Sequence, residues 1–435
     1  MPKSETIFVC ESCGNESISW AGRCPVCGNW NTYREVRQVA EDTRRVIATE
    51  PSIPLKLSDL KIGSLVRQST IGEFDRVLGG GLVPGSVILL GGDPGIGKST
   101  LVFQIASSYT GKTKAAVLYV SGEESPAQIK MRADRMGLSA DGLLLLSETN
   151  VDSVIEVIDR ETPGLLIIDS IQTMYDSAYP STPGSIVQVR ETALKLQRFA
   201  KAKHVTTLLV GHVTKEGGVA GPRTLEHLVD VVLYLEGDRY HGTRILRSEK
   251  NRFGATDEIG VFAMGEKGLD EVANPSQTFL AERREKIPGS AVTCTIEGTR
   301  PFLIEVQALV TPTLFGYPKR SASGFDLNRL QLIVAVLTKR ADLKLLTKDI
   351  FVNVVGGVRL TEPAADLAVA LAIASAERNV ALDPKLVAIG EMGLTGEIRQ
   401  VTHLKKRLTE AKRLGYIRTV TADSIEAAMR ATVGR

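Results

Sequence analysis

Two clusters in this 435-residue chain have the residue types and spacing for chemistry. The first is Cys10-x₂-Cys13 followed by Cys24-x₂-Cys27, with ten residues between the pairs, which takes four of the five cysteines. Each Cys-x₂-Cys turn points two thiolates at one metal, and Gly14 and Gly28 follow where the backbone needs a positive φ. Such a set suits Zn²⁺, and it also holds iron in a rubredoxin-like centre. Two disulfides are the competing reading. They are at odds with a chain whose opening, Met-Pro-Lys-Ser-Glu-Thr, lacks the apolar core of a secretory signal. The second cluster is Gly92-Asp93-Pro94-Gly95-Ile96-Gly97-Lys98-Ser99-Thr100, set between the apolar run 86–90 and a helical pattern over 100–106. Its glycines let successive N–H groups face an anion, Lys98 reaches the β and γ phosphates, and the Ser99 hydroxyl ligates Mg²⁺. The implied ligand is ATP or GTP.

These residues need a scaffold, and the chain supplies its pattern. From about Gly63 to Gly265, apolar runs alternate with amphipathic segments, as in a parallel sheet flanked by helices. Ligands of such sheets sit at the carboxyl ends of strands. There the strand over 115–120 is followed by Ser121-Gly122-Glu123-Glu124, and the strand over 165–168 by Asp169-Ser170. Asp169 suits the acid that holds Mg²⁺ through water, and Glu123, with Glu124 as the second choice, the carboxylate that orients the attacking water. Glu124 and Ser125 read as a helix cap. Beyond a further core strand, His212 and Thr214 are placed to sense a γ phosphate, while Lys215 and Arg223 sit on a glycine-rich loop able to touch a polyanion. Lys250-Asn251-Arg252-Phe253-Gly254 follows the strand over 244–248 and in isolation passes for a charged turn.

Composition is ordinary for a globular chain, 43% hydrophobic and 24% charged, and long enough for two or three domains. A formal charge of +3 does not by itself argue for nucleic acid. No run approaches the eighteen apolar residues of a membrane span, so the expectation is a cytoplasmic protein without a membrane partner. The expected organisation is a Cys₄ finger over 1–34, a linker over 35–62, a P-loop core over 63–285 and a second domain over 286–435. Trp20 and Trp30, near Arg23 and Arg34, either stack on bases or cover a metal site too small for its own core. Cys294 reads as packing.

The order of the finger, the P-loop, Val-Ser-Gly-Glu-Glu-Ser, Ile-Asp-Ser-Ile-Gln, Gly-His-Val-Thr-Lys-Glu-Gly and Lys-Asn-Arg-Phe-Gly resembles the bacterial RadA (Sms) family along essentially the whole chain. The resemblance implies an α/β fold with a RecA-like ATPase core. It also implies hexameric rings that bind single-stranded and branched DNA, use ATP to drive branch migration in recombinational repair, and work beside a RecA-type recombinase or a replicative helicase. Lys250 and Arg252 would then serve an active site across a subunit boundary or couple it to DNA, which makes hydrolysis conditional on assembly. The segment 179–191 stands where RecA-like proteins carry their first DNA loop, where Gln188 and Arg190 could contact phosphates; from Ser185 on it reads equally as a helix start, with Arg190 a solvated helical charge. The alternative is an adaptor that uses nucleotide only to switch partner contacts.

The stretches 351–366, 390–399 and 403–405 resemble the proteolytic domain of Lon, an α+β fold that pairs a serine nucleophile with a lysine base. Lys405 matches the lysine, but Ala364 stands where the serine would be. The resemblance therefore implies a scaffold and not a peptidase, with Lys405, Lys406 and Arg407 as candidate basic contacts.

Overall fold

The computed structural model describes residues 5–10, 15–38, 66–138, 141–212, 225–237, 242–281, 283–313, 316–420 and 422–434. Cys13, Thr214, Lys215 and Arg223 lie outside these residues. Among the described residues, no helix is long and apolar enough to cross a membrane. The chain divides into two compact units, Met1–Glu236 with Arg244–Glu271, and Gly237–Thr243 with Val272–Arg435.

The first unit opens with a small antiparallel sheet in which β1 (Glu5–Cys10) lies between β2 (Glu16–Ser17) and β3 (Tyr33–Gln38). Its larger part is a nine-stranded sheet. The central strands β4 (Val87–Gly92), β5 (Val117–Ser121), β7 (Leu165–Asp169) and β8 (Thr206–Val210) are buried along their whole length, as strands covered on both faces must be. Alternate residues feed opposite cores: Ile88 and Leu90 join one cluster, Val87 and Leu89 the other. With β6 (Leu143–Ser147), β9 (Val231–Glu236), β10 (Thr243–Asn251), β11 (Ile259–Gly265) and β12 (Gly268–Glu271), the order is β12-β11-β10-β9-β4-β8-β7-β5-β6. From β9 to β6 neighbouring strands run parallel, whereas β10 returns antiparallel on β9.

The helices of this unit form for local reasons. After α1 (Gly72–Val77), α2 (Lys98–Thr113) leaves the P-loop and buries Leu101, Val102, Ile105 and Ala106 against the sheet. Pro126 and a Ser125–Gln128 capping box start α3 (Pro126–Met136). In α4 (Val151–Glu161), Val151, Val154, Ile155 and Ile158 make one apolar stripe and the Asn150 side chain caps Asp152 N–H at 2.9 Å. Ser185 caps α5 (Ile186–Lys203).

The second unit resumes at Val272, where α6 (Pro275–Leu280) packs, with Phe279 edge-on to Phe302 at 6.3 Å. Its sheet has the order β13-β14-β16-β15, from β13 (Ser290–Glu297), β14 (Arg300–Pro312), β15 (Arg320–Ser323) and β16 (Lys348–Val354). Only β15 and β16 run parallel. Following α7 (Leu327–Arg340), helix α8 (Asp366–Arg378) is buried from Asp366 to Ser375 and forms the centre of this core. The last helix used below is α9 (Leu404–Arg413).

Candidate functional site

The P-loop joins β4 to α2 through a turn that needs glycine. At Gly92, φ is 152° and a Cβ would lie 2.6 Å from the Leu235 carbonyl oxygen; at Gly97, φ is 114°. Gly97 is also the N-cap of α2 and supplies no side-chain cap, so the first N–H groups of the helix remain open to an anion. Lys98 is buried and folds back on the loop, its Nζ donating to the carbonyls of Gly92 at 2.8 Å and Asp93 at 3.0 Å. Desolvation lowers its ammonium to about 8, against the opposing pull of Asp169, Asp93 and Glu123. Buried Arg244, at the start of β10, donates through Nε to the Ile96 carbonyl at 3.0 Å and so fixes the loop from the neighbouring edge.

The acids meet this loop because β4, β5, β7 and β8 end side by side. Ser121 on β5 pairs with Asp169 on β7, and Asp169 with Val210 on β8. Asp169 is buried and accepts from the hydroxyl of Tyr119 at Oδ2, 2.5 Å away. Glu123 is half-exposed, accepts from Ser170 Oγ at 2.8 Å, and lies 3.7 Å from His212 Nε2. Desolvation, with the charge of Lys98 behind it, lowers the His212 pKa below the ordinary value, so the ring is neutral at pH 7. Ser125 caps α3, whereas the Glu124 side chain pairs with Arg132 Nη2 at 2.8 Å. The hydroxyl of Ser99 in the first turn of α2 and the carboxylate of Asp169 are hard oxygen donors of the kind that Mg²⁺ takes.

In the small sheet, the sulfurs of Cys10, Cys24 and Cys27 lie within 4.8 Å of one another, and Cys10 Sγ is 3.7 Å from Cys27 Sγ. Four sulfurs placed ~2.3 Å from a tetrahedral Zn²⁺ stand about 3.8 Å apart, whereas a disulfide brings two to ~2.05 Å. The spacing therefore fits a metal. Matching backbone hydrogen bonds support it: Cys10 N–H donates to Asn15 O and Cys24 N–H to Asn29 O, each at 2.9 Å. The Tyr33 hydroxyl, 3.8 Å from Cys24 Sγ, backs the sulfurs from the second shell of contacts.

Comparison with known proteins gives three family matches. The AAA domain matches residues 51–218, the rubredoxin metal binding domain residues 8–35, and the family described as subunit ChlI of Mg-chelatase residues 321–424. A KaiC-like protein from Pyrococcus horikoshii OT3, a solved structure, is 21% identical with a TM-score of 0.40, covering 48% of this chain and 99% of its own. The DNA repair protein RadA of Streptococcus pyogenes serotype M1 is 51% identical over 96% of this chain and 92% of its own length. That of Bacillus subtilis (strain 168) is 49% identical over 97% of this chain and 93% of its own. The chain belongs to the RadA family of DNA repair proteins.

This RadA-family chain thus combines a zinc ribbon, an ATP-hydrolysing AAA/RecA-like core and a ChlI/Lon-like C-terminal unit. Its Lys250 and Arg252 are not near their own P-loop. Lys250 pairs with Val232 at the amino end of β9, and Ile88 pairs with Val231, whereas Gly92 pairs with Leu235 at the carboxyl end. Val232 pairs with Leu89, and the three steps from Leu89 to Gly92 span about 10 Å at ~3.3 Å each. Lys250 Nζ donates to the carbonyls of Glu226 at 2.7 Å and Val229 at 2.8 Å, and Arg252 Nη1 approaches Asp230 Oδ1 at 3.3 Å. Both cations are therefore tied to the segment that follows the glycine-rich loop.

Two expectations need correction. Gln188 does not face a ligand: it is 1% exposed, accepts from Asp176 N–H and donates to the carbonyls of Asp176, Tyr179 and Ser181. It shapes the 176–181 turn from inside, while Arg190 is half-exposed beside Glu191 at 3.0 Å. Arg407 is likewise no surface cation. It is 1% exposed and grips Glu362 with two hydrogen bonds of 2.6 and 2.5 Å, with a third to the Cys294 carbonyl at 2.6 Å. Tyr119, Arg132, Ser170 and Arg244 escaped the reading of the sequence. The one signal available was a tyrosine in the middle of an otherwise apolar central strand.

Proposed function

We propose that this chain is a DNA-dependent ATPase of recombinational repair that assembles as a ring, binds single-stranded DNA and promotes branch migration in the cytoplasm. The observation that carries the reading is the placement of the Lys250–Arg252 box toward the amino end of β9, away from the carboxyl end of β4 where its own P-loop begins. A pair of cations at that edge can neutralise phosphoryl charge only on the nucleotide of another copy, which makes turnover depend on assembly. A closed ring of identical chains, with six as the family's number, gives every site such a neighbour.

Within one subunit, the open N-terminus of α2 and Lys98 hold the phosphates. Ser99 and Asp169 hold Mg²⁺, which supplies charge neutralisation when bound, and Glu123 orients the attacking water. Arg190, together with Lys215 and Arg223 of the glycine-rich loop, provides phosphate contacts that are weak singly and strong when repeated around a ring. Because Lys250 and Arg252 hold the segment after that loop, strand binding and the trans contact are mechanically linked. A recombinase or replicative helicase is the expected protein partner.

Steady-state ATP hydrolysis with and without single-stranded DNA across a salt series, with Lys98→Ala as blank, tests this. Salt-sensitive stimulation by DNA, followed by branch migration on a synthetic four-way junction, is the expected result. Turnover indifferent to DNA would favour the nucleotide-switched adaptor.

A further inference from the structure

Behind Asp169 lies a polar chain that runs through the core. Tyr119 is fully buried in β5 and its hydroxyl meets Asp169 Oδ2 at 2.5 Å. On its other side, Arg132 of α3 donates through Nη2 to the same hydroxyl oxygen at 3.2 Å and to Glu124 Oε2 at 2.8 Å. Phe103 closes the assembly, edge-on to Tyr119 at 5.8 Å and under the Arg132 guanidinium at 5.9 Å.

The chemistry of the groups gives this chain a single polarity. A guanidinium only donates, so the Tyr119 oxygen accepts from Arg132 and its one proton is directed to Asp169. An ionised carboxylate only accepts, so the hydroxyl fills one site on Oδ2 and the other oxygen remains open to a metal-bound water. The hydroxyl selects one carboxylate orientation, since the last torsion of aspartate is otherwise broad. We infer that Tyr119 is a positioning residue for the metal-binding acid, oriented by Arg132, and that the pair sets the divalent-cation affinity of the site. The inference rests on the metal role given to Asp169 under Proposed function.

The test uses the full-length protein with ADP and two readouts: free Mn²⁺ by electron paramagnetic resonance, and the Mg²⁺ concentration for half-maximal ATP hydrolysis. Tyr119→Phe removes only the hydroxyl and is expected to weaken Mn²⁺ binding and raise the Mg²⁺ requirement about 10- to 100-fold, the usual effect of losing such a supporting contact. Metal-free ADP affinity should equal that of the wild type. Arg132→Gln, which leaves the phenol in place but undirected, is expected to shift both constants in the same direction by less. Unchanged metal constants in Tyr119→Phe, or an equal loss of metal-free ADP affinity, would overturn the inference. If Tyr119→Phe does not fold, an unshifted Arg132→Gln does the same. Asp169→Asn separates the two readings: if it leaves Mn²⁺ affinity intact, the role of Asp169 fails as well; if it weakens binding and Tyr119→Phe does not, only this inference fails.

Discussion

The Ser170 hydroxyl donates to Glu123 Oε1 across 2.8 Å, so the residue that follows Asp169 holds the carboxylate that follows the adjacent strand. Ser170 is fully buried, whereas Glu123 is half-exposed, and the hydrogen bond is therefore what fixes a side chain that packing does not. Ser170→Ala is expected to lower kcat about 10- to 100-fold with KM for ATP unchanged, as misplacement of a reacting group does. Glu123→Gln should fall further, by about 10²–10⁴, while still binding nucleotide. Steady-state kinetics beside equilibrium ADP binding checks both.

Proton uptake should accompany nucleotide binding. With the Lys98 ammonium lowered by desolvation to about 8, roughly half of the empty sites are neutral at pH 8, and phosphate oxygens restore the charge. Calorimetric titration of ADP in buffers of different ionisation enthalpy should thus give an uptake of roughly half a proton at pH 8, absent in Lys98→Met. The same shift makes the unfolded chain bind more protons between about 8 and the ordinary 10.5, so this group adds stability as pH rises through that window.

The trans arrangement predicts complementation. Lys98→Ala and Lys250→Ala should each be inactive alone, because one lacks a phosphate ligand and the other the cation it lends. Mixed, they should recover part of the turnover, since some interfaces then combine an intact P-loop with an intact box. A mixture as silent as its components would sink the assignment of Lys250.

Much of the site was legible because its signals are local: P-loop and cysteine pairs each lie within a few turns of backbone. What was missed depends on which way a side chain faces. Lys405, Lys406 and Arg407 read as one basic run, yet successive helical residues are 100° apart, and Arg407 shares the buried face of α9 with Ala411. Gln188 follows a Gly- and Ser-containing loop and was expected to meet phosphates. Only the fold shows the turn closing over it. Tyr119 and Arg132 are thirteen residues apart in sequence and meet only because α3 packs beside β5.

Arg407→Ala should destabilise the C-terminal unit by about 3–5 kcal/mol, because it leaves the Glu362 carboxylate without its partner. Replacing both, with Arg407→Met and Glu362→Leu, should recover most of that loss. Denaturant unfolding of the three proteins decides it, and Lys405→Ala should match the wild type.

The zinc ribbon carries its own reporter, since Trp20 and Trp30 are the chain's two tryptophans and both are exposed there. Chelation, or Cys24→Ser, should change tryptophan emission while far-ultraviolet circular dichroism of the whole protein scarcely moves. Emission that ignores chelator would argue against a bound ion.

The opposite placement of Gly92 and Lys250 on one sheet bears on scarcity. On the reading proposed here, an isolated copy owns both halves of a reaction that it cannot complete. Specific activity is then a property of concentration rather than of the polypeptide, and dilution silences the protein without any inhibitor. A cell holding a few scattered copies would spend no ATP on them until damaged DNA gathers enough in one place.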